Sequence, residues 1–294
     1  MATYSYNVDA LGSYVQENKD IILKDIVFGG EYGNTIPLMT KQLGIKTTEK
    51  IHPSTFEAAL QDIDSVNPCG FKAMGELKFT DRDIVTKQKK VNMEFCLEKL
   101  LGKFAEYKVR VGANEDALPF EAEIIDNLVK SINKQVEKGV WTDLITNTDA
   151  QLTVASTGTA YERVMAVYMA LPEAILEDAV IFVSPATFRE YVNDLVNKNF
   201  YHYNPADGDL EEIFIPGSGV KVRKANGLAE QTDDVIFGTS PKNMIYGTDF
   251  MDNKEEVKAW FSDDNDTYRI KVRFNYGANV AFPDLVVGSK KVKG

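Results

Sequence analysis

The sequence is poor in the residues from which most catalytic centres are built. Its 294 residues include only two histidines, His52 and His202, and two cysteines, Cys69 and Cys96. So few histidines leave little material for imidazole catalysis, and cysteines outside any CxxC spacing make neither a zinc ribbon nor a redox pair. A chain of this length buries enough interior to fold without disulfides, which fits synthesis in a reducing cytoplasm. Long apolar runs are missing as well. None approaches the roughly 20 residues that cross a bilayer, so a soluble protein is expected, and the opening MATYSYNVDA lacks the charged-then-apolar layout of a secretory leader. Positive charge is in deficit: 33 Lys and Arg stand against 44 Asp and Glu, for a net charge of -11. That balance argues against a protein gripping nucleic acid over its whole surface, while leaving local basic patches open. There is no GxSxG, P-loop, HExxH or Cys–His signature and no internal repeat of fixed period. The expectation is a protein that is not an enzyme, with no residue assigned to catalysis, a cofactor or a metal.

What the sequence does have is one long amphipathic stretch, Pro119 to about Val140. Phe120, Ile124, Ile125, Leu128, Ile132, Val136 and Val140 recur in steps of three and four and form one stripe. Proline suits the first helical position, Glu121 and Glu123 sit near the positive end of the dipole, and Gly139 marks the expected exit. About twenty residues at ~1.5 Å rise make a rod of roughly 30 Å. Glu121, Asp126, Lys130, Lys134, Gln135 and Lys138 occupy the other face. The stretch is a girder for a core, with nothing on it suited to chemistry.

Around it the chain changes character in order. Residues 1–30 hold short apolar groups (Leu11, Tyr14, Val15; Ile21 to Leu23; Ile26, Val27) consistent with a short helix and then an arm ending at Gly29, Gly30 and Gly33. The GGxxG cluster lacks the strand–turn–helix setting and spacing of a dinucleotide fingerprint, so it reads as a flexible turn. From Gly44 to about Cys96 come short extended pieces. Leu77 alternates with Phe79, and Val91 with Met93 and Phe95, while the intervening DRDIVTKQKK is charged and solvated. A two-stranded ribbon this long has no core of its own and implies a partner surface. No aromatics interleave with Lys87, Lys89 and Lys90, which favours a solvated or subunit-facing ribbon over a nucleic-acid patch.

Residues 97–118 carry a short helical piece (Leu97, Leu100, Leu101, Phe104), and LITNTDAQLTVASTG after the girder reads as polar linker or strand. Thr159 with Glu162 has capping-box spacing and opens a helix lined by Val164, Met165, Tyr168, Met169 and Leu171. A buried strand follows at Ala179–Ser184. Ser184 and Pro185 then open a helix through Phe188, Tyr191, Val192, Leu195 and Val196. The remainder is strand-rich, and in it Tyr268, Ile270, Val272, Phe274 and Tyr276 alternate with Arg269, Lys271 and Arg273, giving one buried and one basic face.

Few residues offer chemistry. His202 lies near Asp207 and Asp209, but their spacing matches no zinc pattern. His52, before Pro53, reads as exposed. The run Ser262 to Asp266 lacks the glycine and terminal glutamate of a calcium loop and reads as a solvated turn.

The order of arm, ribbon, girder, α/β lobe and closing sheet, with VSPATFREYVNDL and the final YRIKVRFNYGANVAFPDLVV, resembles the major capsid proteins of tailed double-stranded DNA phages. The resemblance covers most of the chain and implies an α+β Hong Kong 97-type fold. In its terms residues 1–44 are the N-terminal arm and 45–96 the extended loop. Residues 97–159 form the peripheral domain with spine helix 119–140, residues 160–245 the axial domain, and 246–294 the closing strands and C-terminus. It further implies a structural subunit that assembles in the bacterial host cytoplasm into hexamers and pentamers of an icosahedral virion shell. Such a shell encloses double-stranded DNA without sequence-specific binding, with scaffolding, portal and decoration proteins as further partners. Two alternatives stand beside it: an encapsulin-type nanocompartment shell on the same fold, and a metal-dependent hydrolase using His202, Asp207 and Asp209.

Overall fold

The computed structural model describes residues 10–29, 34–52, 54–58, 60, 62, 75–79, 81–96, 98–99, 102–103, 106–107, 120–198, 211–249 and 256–292. The first helix, α1 (Ala10–Phe28), is a single 19-residue element where a short helix and an arm were expected. Its residues Leu11, Val15, Ile22, Leu23, Ile26 and Val27 are buried, so it belongs to the core of its own chain.

The girder is α2 (Phe120–Asn147), 28 residues long. It runs on through Gly139, where the sequence suggested an exit, and takes in the LITN expected in a linker. Packing explains the difference. A Cβ at residue 139 would run into the Tyr276 hydroxyl and lie 3.0 Å from the ring carbon Cζ. The glycine therefore admits a tyrosine ring against the helix instead of ending it. Six of the seven stripe residues are buried, Ile124 is partly so, and the covered face also includes Val129, Asn133, Glu137, Trp141 and Leu144.

Two five-stranded sheets share this helix. The first contains β1 (Thr40–Leu43), β6 (Lys87–Cys96), β11 (Met244–Thr248), β12 (Glu256–Ser262) and the long β13 (Thr267–Val280). β12 pairs with Thr267–Arg273 and β6 with Thr267–Tyr276 on opposite edges of β13, and β11 pairs with its last residues, Gly277–Val280. Tyr268, Ile270, Val272, Phe274 and Tyr276 are all buried, as their alternation predicts, and they face α1 and α2.

The expected ribbon is present with different legs. β2 (Thr48–Ile51) pairs antiparallel with β5 (Arg82–Val85), and β3 (Ser54–Ala58) with β4 (Gly75–Phe79). Val91, Met93 and Phe95 instead lie on β6 in the main sheet. The stretch expected to be solvated contains Ile84, which is fully buried at the ribbon's root.

The second sheet has the order β14 (Val287–Val292), β10 (Asp233–Thr239), β7 (Val180–Val183), β9 (Lys221–Lys224), β8 (Glu212–Phe214). Against it pack α3 (Ala160–Ala170), begun by the Thr159–Glu162 capping box, and α4 (Pro185–Asn197), capped by Ser184. Both caps were legible because each satisfies helical N–H groups by local chemistry. Met169 and Val196, expected to line these helices, are exposed. β7 is apolar throughout because both of its sides are covered. Ile181 and Val183 face α3 and α4, while Phe182 packs with Phe237 on Trp141 of α2, ring centroids 5.3 and 5.5 Å from the indole. The last strand, β14, returns to this second sheet. Leu97, Leu100, Leu101 and Phe104 lie outside the described residues.

Candidate assembly surfaces

Three features tie arm-like and ribbon-like parts of the chain to the rigid frame or leave them unsatisfied within one subunit. The first is a clasp on α2. Glu137 is buried, and its Oε1 accepts from the Asn34 backbone N–H at 2.7 Å, the Thr35 N–H at 2.8 Å and the Thr35 hydroxyl at 3.1 Å. Trp141 Nε1 donates to the same hydroxyl at 3.1 Å. Asn34 reaches onward, its Nδ2 donating to the Lys224 carbonyl at 2.8 Å and its Oδ1 accepting from Asn226 N–H at 3.2 Å. One carboxylate thus fixes the segment after α1 to the girder and to the second sheet. Burial pushes the Glu137 carboxyl above the usual range, against the opposing pull of those hydrogen bonds. Sequence reasoning missed Glu137 and Trp141, although a carboxylate one residue from stripe position Val136 was a usable signal.

The second is the ribbon and its root. Ile45, Ile84, Ile245 and Ala281 form a small cluster of their own. Above it Asn275 Nδ2 donates to the Lys46 carbonyl at 3.2 Å and the Thr86 hydroxyl at 3.1 Å, and Asn279 Nδ2 to the Asp83 carbonyl at 2.7 Å. Gly277 lets the backbone of Val85 and Thr86 cross β13, since a Cβ there would meet the Val85 carbonyl. Beyond this fixed root the ribbon exposes apolar side chains, with Leu60 fully exposed, Leu77 at 43% and Val85 at 49%. His52 is exposed as expected but is not solitary: its Nδ1 lies 2.8 Å from Asp81, which also binds Lys50 at 3.0 Å.

The third is the outer face of the first sheet, on the side away from α1 and α2. Strand register sets Arg269 between Glu94 and Trp260, Lys271 between Asn92 and Lys258, and Arg273 between Lys90 and Glu256. Glu256 binds both Lys258 and Lys271, at 2.5 and 2.9 Å, and these two cations hold its carboxyl down at about 2. Arg269 pairs with Glu94 at 3.0 Å. Lys90 and Arg273 stand directly opposite with like charge, an arrangement that destabilises an isolated sheet.

His202, Asp207, Asp209, Gly30, Gly33 and Cys69 lie outside the described residues. Gly29 follows α1 with φ 81°, a backbone conformation that favours glycine. Asp263 to Asp266 form the turn between β12 and β13. Cys96 is a half-buried free thiol. Among the described residues no cluster of three or more metal-ligating side chains occurs, and no helix is long and apolar enough to cross a membrane.

A long helix under a mainly antiparallel sheet, a projecting ribbon and a second α/β sheet together make the Hong Kong 97-type capsid fold, and solved structures bear this out over most of the chain. The satellite phage P4 procapsid, a structure that includes the size determination protein, is 12% identical with a TM-score of 0.60, covering 99% of this chain and 94% of that one. The bacteriophage PhiM1 mature capsid is 10% identical with a TM-score of 0.56, covering 88% and 86%. The holo-SrpI encapsulin complex of Synechococcus elongatus PCC 7942 is 8% identical with a TM-score of 0.53, covering 88% and 86%. No protein-family model and no curated protein matches the sequence.

Proposed function

We propose that the chain is the major shell subunit of a tailed phage, self-assembling into hexamers and pentamers of an icosahedral capsid around double-stranded DNA, and that it has no enzymatic activity. The observation that carries this reading is the ribbon: it is anchored on a rigid root, yet its apolar side chains Leu60, Leu77 and Val85 are left exposed among the described residues. A two-stranded ribbon is marginal alone, so a neighbouring subunit is the natural surface to bury it, in interfaces of the obligate class, ~2,000 Å² or more. In this reading the extended loop, expected over 45–96, is the ribbon up to residue 85 with β6 as its return into the main sheet, α2 is the spine, the first sheet forms the peripheral domain and the second sheet the axial domain. Scaffolding, portal and decoration proteins belong to the same reading as partners in assembly.

The test is negative-stain electron microscopy and sedimentation of the purified chain, beside a variant in which residues 53–80 are replaced by a short Gly-Ser turn. A larger cut through Thr47–Glu94 would remove β6 and unfold the main sheet, so it cannot serve. Shells or capsomers from the wild type, and folded but unassembled subunits from the variant, are the expected pair of results. Normal shells from the variant would sink the reading. The likeness to the SrpI encapsulin supports a second reading as a nanocompartment shell, and uniform small particles loaded with protein in place of DNA would favour it.

A further inference from the structure

The ribbon accounts for contacts between subunits, but one other surface of the molecule is left with a charge that the fold does not use. A cleft of about 540 Å³ runs between β6 and the flank of α2, beside the buried stripe. Lys87 and Lys89 enter it from β6, on the register that faces the helix, and Lys90 stands at its rim. Lys138 closes it from α2, one helical turn beyond Lys134. Two carboxylates answer these cations. Asp143 binds Lys87 at 3.1 Å, and Glu230 binds Lys134 at 2.7 Å and Lys138 at 3.4 Å. Lys89 lies over the Tyr276 ring, 5.7 Å from its centroid, and Lys90 has no ion-pair partner among the described residues. Ser131, Gln135 and Thr142 add neutral polar groups, while Val91, Met93, Leu128, Ile132, Val136 and Phe274 make its floor apolar, so the charge is carried on the rim. A chain whose net charge is -11 has therefore gathered an excess of cations along one groove.

We infer that this groove seats the phosphodiester backbone of double-stranded DNA, an inference that rests on the shell reading above. Lysines mixed with hydroxyl and amide groups are the chemistry of phosphate contact, which positions a duplex without reading its sequence. The spacing also suits it. Lys87 and Lys89 are two strand residues apart, roughly 6.7 Å, and Lys134 and Lys138 are about 6 Å apart along the helix. Successive phosphates of one duplex strand, ~3.4 Å apart along the axis but turned about it, lie roughly 7 Å apart through space, so neighbouring phosphates match both intervals. The missing aromatics that counted against this cluster in the sequence matter for stacking on single strands. A duplex needs only the cations, and the fold supplies Lys138, with Lys134 one helical turn outside the lining, from a helix some fifty residues away in sequence.

The experiment uses the full-length subunit and a random-sequence duplex of roughly 30 base pairs, with binding read by fluorescence anisotropy from about 50 mM salt upward. The wild type is expected to bind with an affinity that falls steeply with salt. The Lys89→Gln, Lys138→Gln double variant should bind about ten-fold more weakly at the lowest salt and lower the slope of log affinity against log salt by about 1.8, at ~0.9 for each phosphate that is no longer neutralised. Lys89→Arg with Lys138→Arg should restore both. Lys258→Gln with Arg273→Gln, on the opposite face of the sheet, should leave both unchanged. Equal losses from the two Gln pairs, or a loss confined to the outer-face pair, would overturn the inference, as would a wild type that does not bind the duplex. Particles seen by microscopy decide the shell reading separately: shells without groove-dependent DNA binding would refute this inference alone, and groove-dependent binding without shells would refute only the shell reading.

Discussion

Replacing Glu137 by alanine should loosen the clasp that joins three parts of the subunit. The variant strips the acceptor from the Asn34 and Thr35 backbone N–H groups and from the Thr35 hydroxyl, all buried. Each buried backbone donor left without a partner costs about 1–3 kcal/mol, so two of them amount to about 2–6 kcal/mol. Removing a buried carboxylate gives part of this back, because its desolvation penalty also disappears. The expected net loss is about 2–4 kcal/mol, measured by denaturant unfolding of the unassembled subunit, with earlier hydrogen exchange at Asn34 and Thr35. Glu137→Gln keeps an acceptor oxygen and should lose much less. The two variants also separate charge from hydrogen bonding through pH. The folded carboxyl titrates above its usual value, so the folded state binds the proton more tightly than the unfolded one. Stability from this group is therefore greatest in acid and declines as pH rises from the ordinary glutamate range through the raised value. The wild type should lose stability relative to Glu137→Gln over that window and run parallel to it above. An alanine variant within about 0.5 kcal/mol of the wild type would refute the clasp.

Three further outcomes follow from the same geometry. Gly277→Ala should destabilise the subunit by about 3 kcal/mol or more, because the new Cβ meets the backbone of Val85 and Thr86, which cannot swing aside as a side chain would; proteolysis within the ribbon should quicken in parallel. Glu256, held at about 2 against an ordinary 4.5, contributes stability that is present above the ordinary value and lost as pH falls toward 2. Its accessibility to solvent reduces the effect to about 1 kcal/mol, and Glu256→Gln should flatten that acid limb of the unfolding profile. Leu77→Lys should leave the isolated subunit's stability within about 0.5 kcal/mol, since the side chain is already half exposed, yet abolish shells in electron micrographs; normal shells would count against burial of the ribbon on a neighbour.

What could be read from the sequence was whatever repeats locally. The stripe from Phe120 to Val140, the alternation from Tyr268 to Tyr276 and the caps at Thr159 and Ser184 each express a period or a hydrogen bond within a few residues. What escaped depended on residues far apart in the chain. Gly139 looked like a helix exit because the Tyr276 ring that requires it lies on β13. Val91 to Phe95 carried the right strand period but gave no sign of their partner, and β13 rather than the outgoing ribbon claimed them. Ile84 looked solvated among charges because the sheet that covers it is built from residues beyond 240. The clasp failed for the same reason: Glu137 is one residue on a mostly polar-looking helix until Asn34 and Thr35 are brought against it.

In the proposed shell, the outer face of the first sheet is a candidate contact between subunits. Lys90 and Arg273 are direct cross-strand neighbours of like charge, with no ion pair to either among the described residues. Such a pair costs a few tenths of a kcal/mol to about 1 kcal/mol in an isolated sheet, and Glu256, which faces Arg273 from β12, is already paired with Lys258 and Lys271. Arg273→Gln should therefore raise the stability of the free subunit by a few tenths of a kcal/mol. If neighbouring chains, each with a net charge of -11, bring carboxylates against this face, the same variant should weaken assembly and make the remaining shells less sensitive to salt. Stability and assembly would then move in opposite directions under one substitution, which a purely structural role for the arginine does not allow. A variant that lowers both together would place Arg273 in the fold rather than in the contact.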